Sequence, residues 1–196
     1  DVKLNLENGI KLNSNFHSSM SLNRELLKKY SSFLNVYKLN ENVKNFKAKF
    51  SNSFFIELDS TYKIKNYNYE LSGIIENILF QLSNPIKNNF IKKQISEIYL
   101  SDFKISTNFK SKQIKLKGEG KYSFNNMEFL KFNLENNIYK DAVDLKLDLD
   151  FAESVEIDYI NYKKDKNSIA NISANLKKEK IKIEINEINF KDKKDF

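Results

Sequence analysis

The chain has 196 residues, 33 Lys+Arg against 26 Asp+Glu, a net charge of +7, no cysteine and one histidine, His17. The missing cysteine excludes disulfides, thiolate metal sites and a Cys nucleophile, and is compatible with cytoplasm and periplasm alike; a single His on the polar side of a strand pattern argues against a transition-metal centre, so no metal and no cofactor are expected. Arg24 is the only arginine, and the lysines alternate with Asp, Glu and Asn along the chain; nucleic-acid binding, which leans on clustered Arg, is not expected.

The first signal is "VKLNLENGIKL" (2–12). Val2, Leu4 and Leu6 alternate with polar residues, as do Ile10 and Leu12. Directly opposite residues of an antiparallel pair share a face. A two-residue Asn8-Gly9 loop would oppose Leu6 and Lys11. A three-residue loop, Glu7-Asn8-Gly9, opposes Leu6 to Ile10 and Leu4 to Leu12, with Gly9 in the left-handed position. The alternation runs on through Phe16 to Leu22. At about 3.3 Å per residue this ribbon is roughly 43 Å long, far beyond the usual strand.

"NRELLKKYSSFLNVYKL" (23–39) breaks the two-residue period. Leu26, Leu27, Tyr30, Phe33 and Leu34 recur at helical spacing behind a candidate N-cap, Asn23, which predicts a helix near 23–37. Alternation returns at Phe54, Ile56, Leu58, Tyr62 and Ile64, and continues with shifted phase at Tyr67, Tyr69, Leu71 and Ile75. "NPIKNNFIKKQI" (84–95) reads as a second helix, with Asn84 as cap and Pro85 at the first helical position. Either helix would plug one end of the sheet, gate a cavity or touch a bilayer.

Further strands follow: Tyr99, Phe103, Ile105 and Phe109; Ile114, Leu116, Tyr122 and Phe124; Val143, Leu145, Leu147, Leu149 and Phe151, running on to Val155, Ile157 and Tyr159. In "KYSFNNMEF" a two-residue Asn125-Asn126 turn opposes Phe124 to Met127 and Tyr122 to Phe129. In "ANISANLKKEKIKIEI" a Lys178-Glu179 turn opposes Leu176 to Ile181, Ala174 to Ile183 and Ile172 to Ile185. Phase shifts are suspected at Leu130–Phe132 and Ile185–Ile188, where a one-residue slip inverts the faces. The fold class expected is mainly β: a long antiparallel, twisted and curved meander sheet with one or two short helices, one unit over residues 1–196.

Each strand has one apolar and one hydrated face. Three structures fit: a closed sandwich or barrel, an outer-membrane barrel, and an open curved sheet whose apolar concave face holds acyl chains. The outer-membrane barrel fits least, because Phe and Tyr are spread along the strands instead of forming girdles. An acyl-chain site needs no directional partners, so it would consist of period-2 apolar residues alone. The candidates are Leu4, Leu6, Ile10, Leu12, Phe16, Phe54, Ile56, Leu58, Tyr99, Phe103, Ile105, Phe109, Ile114, Leu116, Tyr122, Phe124, Leu145, Leu147 and Leu149. No catalytic constellation is present, and an enzyme is not expected. Asp144, Asp148 and Asp150 share a strand face that reads as solvated, with a Ca²⁺ site as the alternative. "KGEGKY" lacks the following helix of a phosphate loop and reads as a bulge or as room for a close neighbour. Tyr159, Asn161 and Tyr162 form an aromatic-basic cluster at a strand end. No stretch approaches the ~18 apolar residues of a membrane span. The chain does not begin with Met and "NFKDKKDF" looks cut off mid-pattern, so a piece of a longer protein is expected.

In "LSNPIKNNFIKKQISEIYLSDFKIST", "GEGKYSFNNMEFLKFNLEN" and "VEIDYINYKKDKNSIANISANLKKEKIKI" the chain resembles the AsmA-like proteins of Gram-negative bacteria, the group of TamB and YhdP. The resemblance rests on strand style and is clearest over 83–190. It implies a segment of a periplasmic β-groove akin to the repeating-β-groove proteins, non-enzymatic, binding phospholipid and contributing to its transport between inner and outer membrane. It also implies that membrane association, through an inner-membrane anchor, lies in parts outside these residues. The alternative from a different class is a structural or adhesive β-sandwich with a self-buried core and no ligand.

Overall fold

The computed structural model describes residues 2–5, 9–29, 42–87, 93–111, 113–139, 142–166, 168–179 and 182–192. Its strands are β1 (Val2–Asn5), β2 (Ile10–Leu22), β3 (Val43–Leu58), β4 (Ile64–Ile86), β5 (Ile95–Lys110), β6 (Gln113–Phe124), β7 (Leu130–Tyr139), β8 (Ala142–Phe151), β9 (Val155–Ile157), β10 (Tyr162–Lys164), β11 (Ala170–Glu179) and β12 (Lys182–Asp192). All but β9 and β10 form one ten-stranded sheet in the order β1-β2-β3-β4-β5-β6-β7-β8-β11-β12, and β9 pairs with β10 separately. Every pairing is antiparallel. The fold is the expected mainly-β meander, with ten strands in one antiparallel sheet.

Strand length follows from uninterrupted alternation. β3 and β5 have 16 residues each and β4 has 23, several times the common strand of about five or six. The second predicted helix does not start at Asn84-Pro85: residues 84–86 continue β4 and Ile86 opposes Ile95, while residues 88–92 of the predicted span lie outside the described residues. Pro85 sits in the irregular stretch between the Gln81–Glu97 and Ile86–Ile95 pairs, where its missing N–H leaves no regular ladder bond unmade. The first helix is confirmed as α1 (Arg24–Lys29), capped as expected by Asn23, whose Oδ1 accepts from Leu26 N at 2.9 Å. The remainder of the predicted 23–37 helix lies outside the described residues.

The three hairpins divide. Leu4 opposes Leu12 as expected, with Gly9 at φ +107°; Leu6, Glu7 and Asn8 lie outside the described residues. At the second, Asn125 and Asn126 both have positive φ (51° and 54°), the signature of the two-residue hairpin turn, and Met127 N donates to Phe124 O. β7 nevertheless begins one residue late, so Tyr122 opposes Leu130 and not Phe129, which is 43% exposed. At the third, Glu179 opposes Lys182 and Leu176 opposes Ile185, so the strands turn beyond Glu179 and not at Lys178-Glu179.

The buried core lies toward one end of the sheet: Val43, Ala48, Ile75, Ile78, Phe103, Tyr122 and Phe132, with Phe46, Phe50, Phe80 and Leu100 packed against them. α1 packs on β2 and β3 at the same end. There too, residues 152–166 leave the sheet before β11 returns at Ala170. Lys164 anchors this excursion: it is fully buried, and its Nζ donates to Ala152 O, Glu153 O, Asp165 O and Ser168 O at 2.6–3.2 Å, 5.8 Å from the Phe151 ring centroid. Burial pushes its pKa below the ordinary lysine value. Nothing in the sequence marked this lysine out among the others.

Candidate functional site: the apolar face

Register assigns every strand residue to a face. One transverse line runs Phe16, Asn52, Leu71, Thr107, Leu116, Asn136, Leu145, Leu176, Ile185 from β2 to β12. The next runs Ser18, Phe50, Gly73, Ile105, Gly118, Leu134, Leu147, Ala174, Ile188. A third, toward the other end, runs Ser14, Phe54, Tyr69, Phe109, Ile114, Ile138, Val143, Lys178, Ile183. The face is thus apolar from one edge of the sheet to the other.

Of the predicted lining residues, Ile10, Leu12, Phe16, Phe54, Ile56, Leu58, Phe103, Ile105, Phe109, Ile114, Leu116, Tyr122, Phe124, Leu145, Leu147 and Leu149 share this face, and Leu4 joins it by register. Leu6 lies outside the described residues. Tyr99 does not belong. It opposes Leu79 and Ser123 on the polar face, and its hydroxyl donates to Glu97 at 2.9 Å. The cause is a bulge between Ser101 and Lys104, with Asp102 at φ +50°, which inverts the phase so that Ile98 and Leu100 face the apolar side. Alternation counted across an unseen bulge assigns one flank wrongly.

The same bulge explains "KGEGKY". A Cβ on Gly118 would lie 2.2 Å from Phe103 Cε2, and one on Gly120 2.8 Å from Phe103 Cα. The two glycines are the space that lets Phe103 lie against β6, and its ring packs on Phe132 at 5.1 Å between centroids, tilted by 39°.

Three polar residues interrupt the face in its first transverse line. Asn52 donates to Phe16 O and Ser18 Oγ and accepts from Tyr69 OH at 2.6 Å, so its amide is satisfied within the face. Thr107 is buried, and Asn136 Oδ1 is buried without a hydrogen-bond partner among the described residues. The candidate lining list left out Leu71 and Ile183, which the strand pattern had already placed on an apolar face, together with Leu134, Ile138 and Ile188; only register joins them to the neighbouring strands.

Among the described residues, close backbone contacts join neighbouring strands, and α1 meets β2 and β3. At the β12 edge, the Tyr162 ring meets Phe190 edge-on at 5.7 Å and its hydroxyl reaches Asp192. Tyr159 of the same cluster is 84% exposed.

The opposite face is ionic. Lys104–Glu119, Lys117–Glu135 and Lys121–Asp102 pair across strands at 2.7–3.2 Å. Glu76 takes both Lys47 and Lys49, which hold its carboxyl below the ordinary range. A depression of about 780 Å³ also lies on this side, among Asn15, His17, Ser51, Ser53, Glu70 and Asn108. His17 Nδ1 lies 3.0 Å from Ser51 Oγ. Asp148 accepts from Asn171, and the described residues contain no group of three His, Asp or Glu placed to hold a metal ion.

No family model matches the chain, and neither a curated protein nor a solved structure does.

Proposed function

We propose that this chain is a non-enzymatic lipid-binding segment, in which phospholipid acyl chains lie along the apolar face and the ionic face stays in water. The observation that supports this reading is the continuity of that face across a single sheet, from β2 to β12. Covering apolar surface stabilises by about 25 cal/mol per Å² whether the cover is protein or hydrocarbon, and each buried CH₂ contributes ~0.8 kcal/mol. Long strands suit such a ligand, because an extended acyl chain can follow them without directional contacts. Sheet twist and the bulges on β3, β4, β5 and β12 supply the bending that would turn the face into a trough. A place in phospholipid transport between the inner and outer membranes, in the periplasm and with an anchor outside these residues, is the extension of this reading that the AsmA-like resemblance implies.

The test is native mass spectrometry of the purified chain with lipid extraction. Phospholipid near stoichiometric amount is the expected result. Ligand-free protein whose melting temperature does not respond to added phospholipid would remove the proposal.

One observation favours a second reading, a structural or adhesive β-domain without ligand. Around Ala48, Ile75 and Phe103 the apolar face is already buried, to 9% exposure or less. If the whole face were sealed in this way in solution, no lipid would be found.

A further inference from the structure

We infer that β12 is a self-complementary edge, through which two copies of this chain pair antiparallel about a two-fold axis perpendicular to the sheet. β12 closes the strand order, so its outer side has no neighbour among the described residues. An open edge with unpaired N–H and C=O groups is a template for another strand unless it is short, charged or covered. β12 is 11 residues long. Its apolar-face residues are poorly covered: Ile183 is 65% exposed, Ile185 61%, Ile188 59% and Phe190 38%.

The occupant is argued from the pattern of the strand itself. Leu176 opposes Ile185 while Asn175 opposes Glu187, so Asn186 is the extra residue of a bulge and the phase inverts there. Apolar-face residues are therefore 183 and 185 before the bulge, 188 and 190 after it. "KIEINEINFK" (182–191) reads with the same face pattern in both directions. An antiparallel pair of two such strands matches face to face over its whole length in one register alone. That register opposes Ile183 to Phe190, Glu184 to Asn189, Ile185 to Ile188 and Asn186 to Glu187. A slip of one residue sets Ile183 against Asn189, and a slip of two sets Ile185 against Asn186 or Glu187 against Ile188. Register is strongly specified where one face is apolar, and a two-fold contact requires a patch that complements itself.

The opposite edge is the weaker partner. That edge is formed by β1, only four residues long and paired with Lys11–Ser14 of β2; it runs antiparallel to β12, but a head-to-tail contact there could match four residues at most, and beyond it the exposed part of β2 runs parallel to β12 and lacks the symmetric match. The one like-charge juxtaposition in the two-fold register is Lys182 with Lys191, and Lys182 already holds Glu184 on its own strand. The rotation keeps both apolar faces on the same side, so pairing extends that face across two copies. The inference does not depend on what, if anything, the face binds.

Because the chain contains no cysteine, the register can be read by disulfides. The 196-residue chain is expected to sediment as a dimer. Glu184→Cys protein mixed with Asn189→Cys protein and oxidised should give chiefly the mixed disulfide. Glu184→Cys alone should cross-link poorly, because equivalent positions lie about 16 Å apart along the strands. Ile188→Lys should shift the dimer to monomer by at least tenfold in dissociation constant with an unchanged circular dichroism spectrum. A wild-type monomer at every attainable concentration would overturn the inference. So would a dimer in which the 184–189 disulfide forms no faster than 184–184. The disulfide result stands whether or not Ile188→Lys folds.

Discussion

Gly118 lies under the ring of Phe103, with no room for a methyl group between them: a Cβ there would sit 2.2 Å from Cε2 and 2.5 Å from Cζ. Phe103 is 6% exposed and belongs to the core, so the ring cannot swing into solvent without uncovering its neighbours. Gly118→Ala should therefore destabilise the fold by about 1–3 kcal/mol, the usual cost of overpacking. Phe103→Leu should relieve most of it, so the double variant should be more stable than the sum of the single changes implies. Urea unfolding of the four proteins measures this; strict additivity would mean that the two residues do not compete for one space.

Asn125 and Asn126 have nearly the same backbone conformation and different tasks. Asn125 Oδ1 accepts from Ser96 N, Ser96 Oγ and Glu97 N, and its Nδ2 donates to Gln94 O, tying the β6–β7 turn to the start of β5. Glycine tolerates the left-handed region at either position. Asn125→Gly should cost about 1–3 kcal/mol through the lost hydrogen bonds. Asn126→Gly should change stability by less than about 0.5 kcal/mol. Equal effects at the two positions would show that the turn's own conformation, not the tie to β5, is what matters.

What the sequence made legible follows from a parity rule. Face assignment needs only the two-residue period, so nearly all the candidate lining residues lie on the expected face although no register was known. A slip by an even number of residues leaves every face unchanged, and the β11–β12 turn was misplaced in that way: Leu176 opposes Ile185 and not Ile181, both apolar. A bulge changes parity and is invisible in residue type alone. Asp102 cost the assignment of Tyr99, and the extra residue after the Asn125-Asn126 turn exchanged Phe129 for Leu130. Asn84-Pro85 carries the local chemistry of a helix start, but pairing with β5 extends β4 through it.

Tyr122 is buried, and its hydroxyl donates to the Asp150 carbonyl in a short hydrogen bond that spans β7. Burial, first, and the charges of Asp150 and Glu153 raise its pKa well above the ordinary phenol value of 10.0. The folded state therefore holds this proton where the unfolded state has lost it. That contribution to stability is complete below pH 10 and is lost as pH rises from there through the raised folded value. Tyr122→Phe removes one hydrogen bond, at a cost of about 1 kcal/mol near neutrality. The gap between wild type and variant should shrink above pH 10. Chemical denaturation at pH 7 and at alkaline pH tests it; a gap that widened would reverse the sign argued here.

The lipid reading makes a face-specific prediction. Ile56 and Leu145 lie on the apolar face and retain partial exposure, away from the buried cluster around Phe103. Tyr99 lies on the other face at similar burial. A carboxylate on the apolar face must be desolvated when a hydrocarbon chain covers it, or must hold that chain away. Loss of about two CH₂ contacts at ~0.8 kcal/mol each already corresponds to roughly tenfold in affinity. Ile56→Glu and Leu145→Glu should each lower bound phospholipid by on the order of tenfold, whereas Tyr99→Glu should leave it near the wild-type level. Melting curves establish that the variants remain folded, and lipid extraction followed by mass spectrometry gives the occupancy. Equal losses from the two faces would point to general destabilisation, and no loss from either would leave the apolar face without a lipid-binding role.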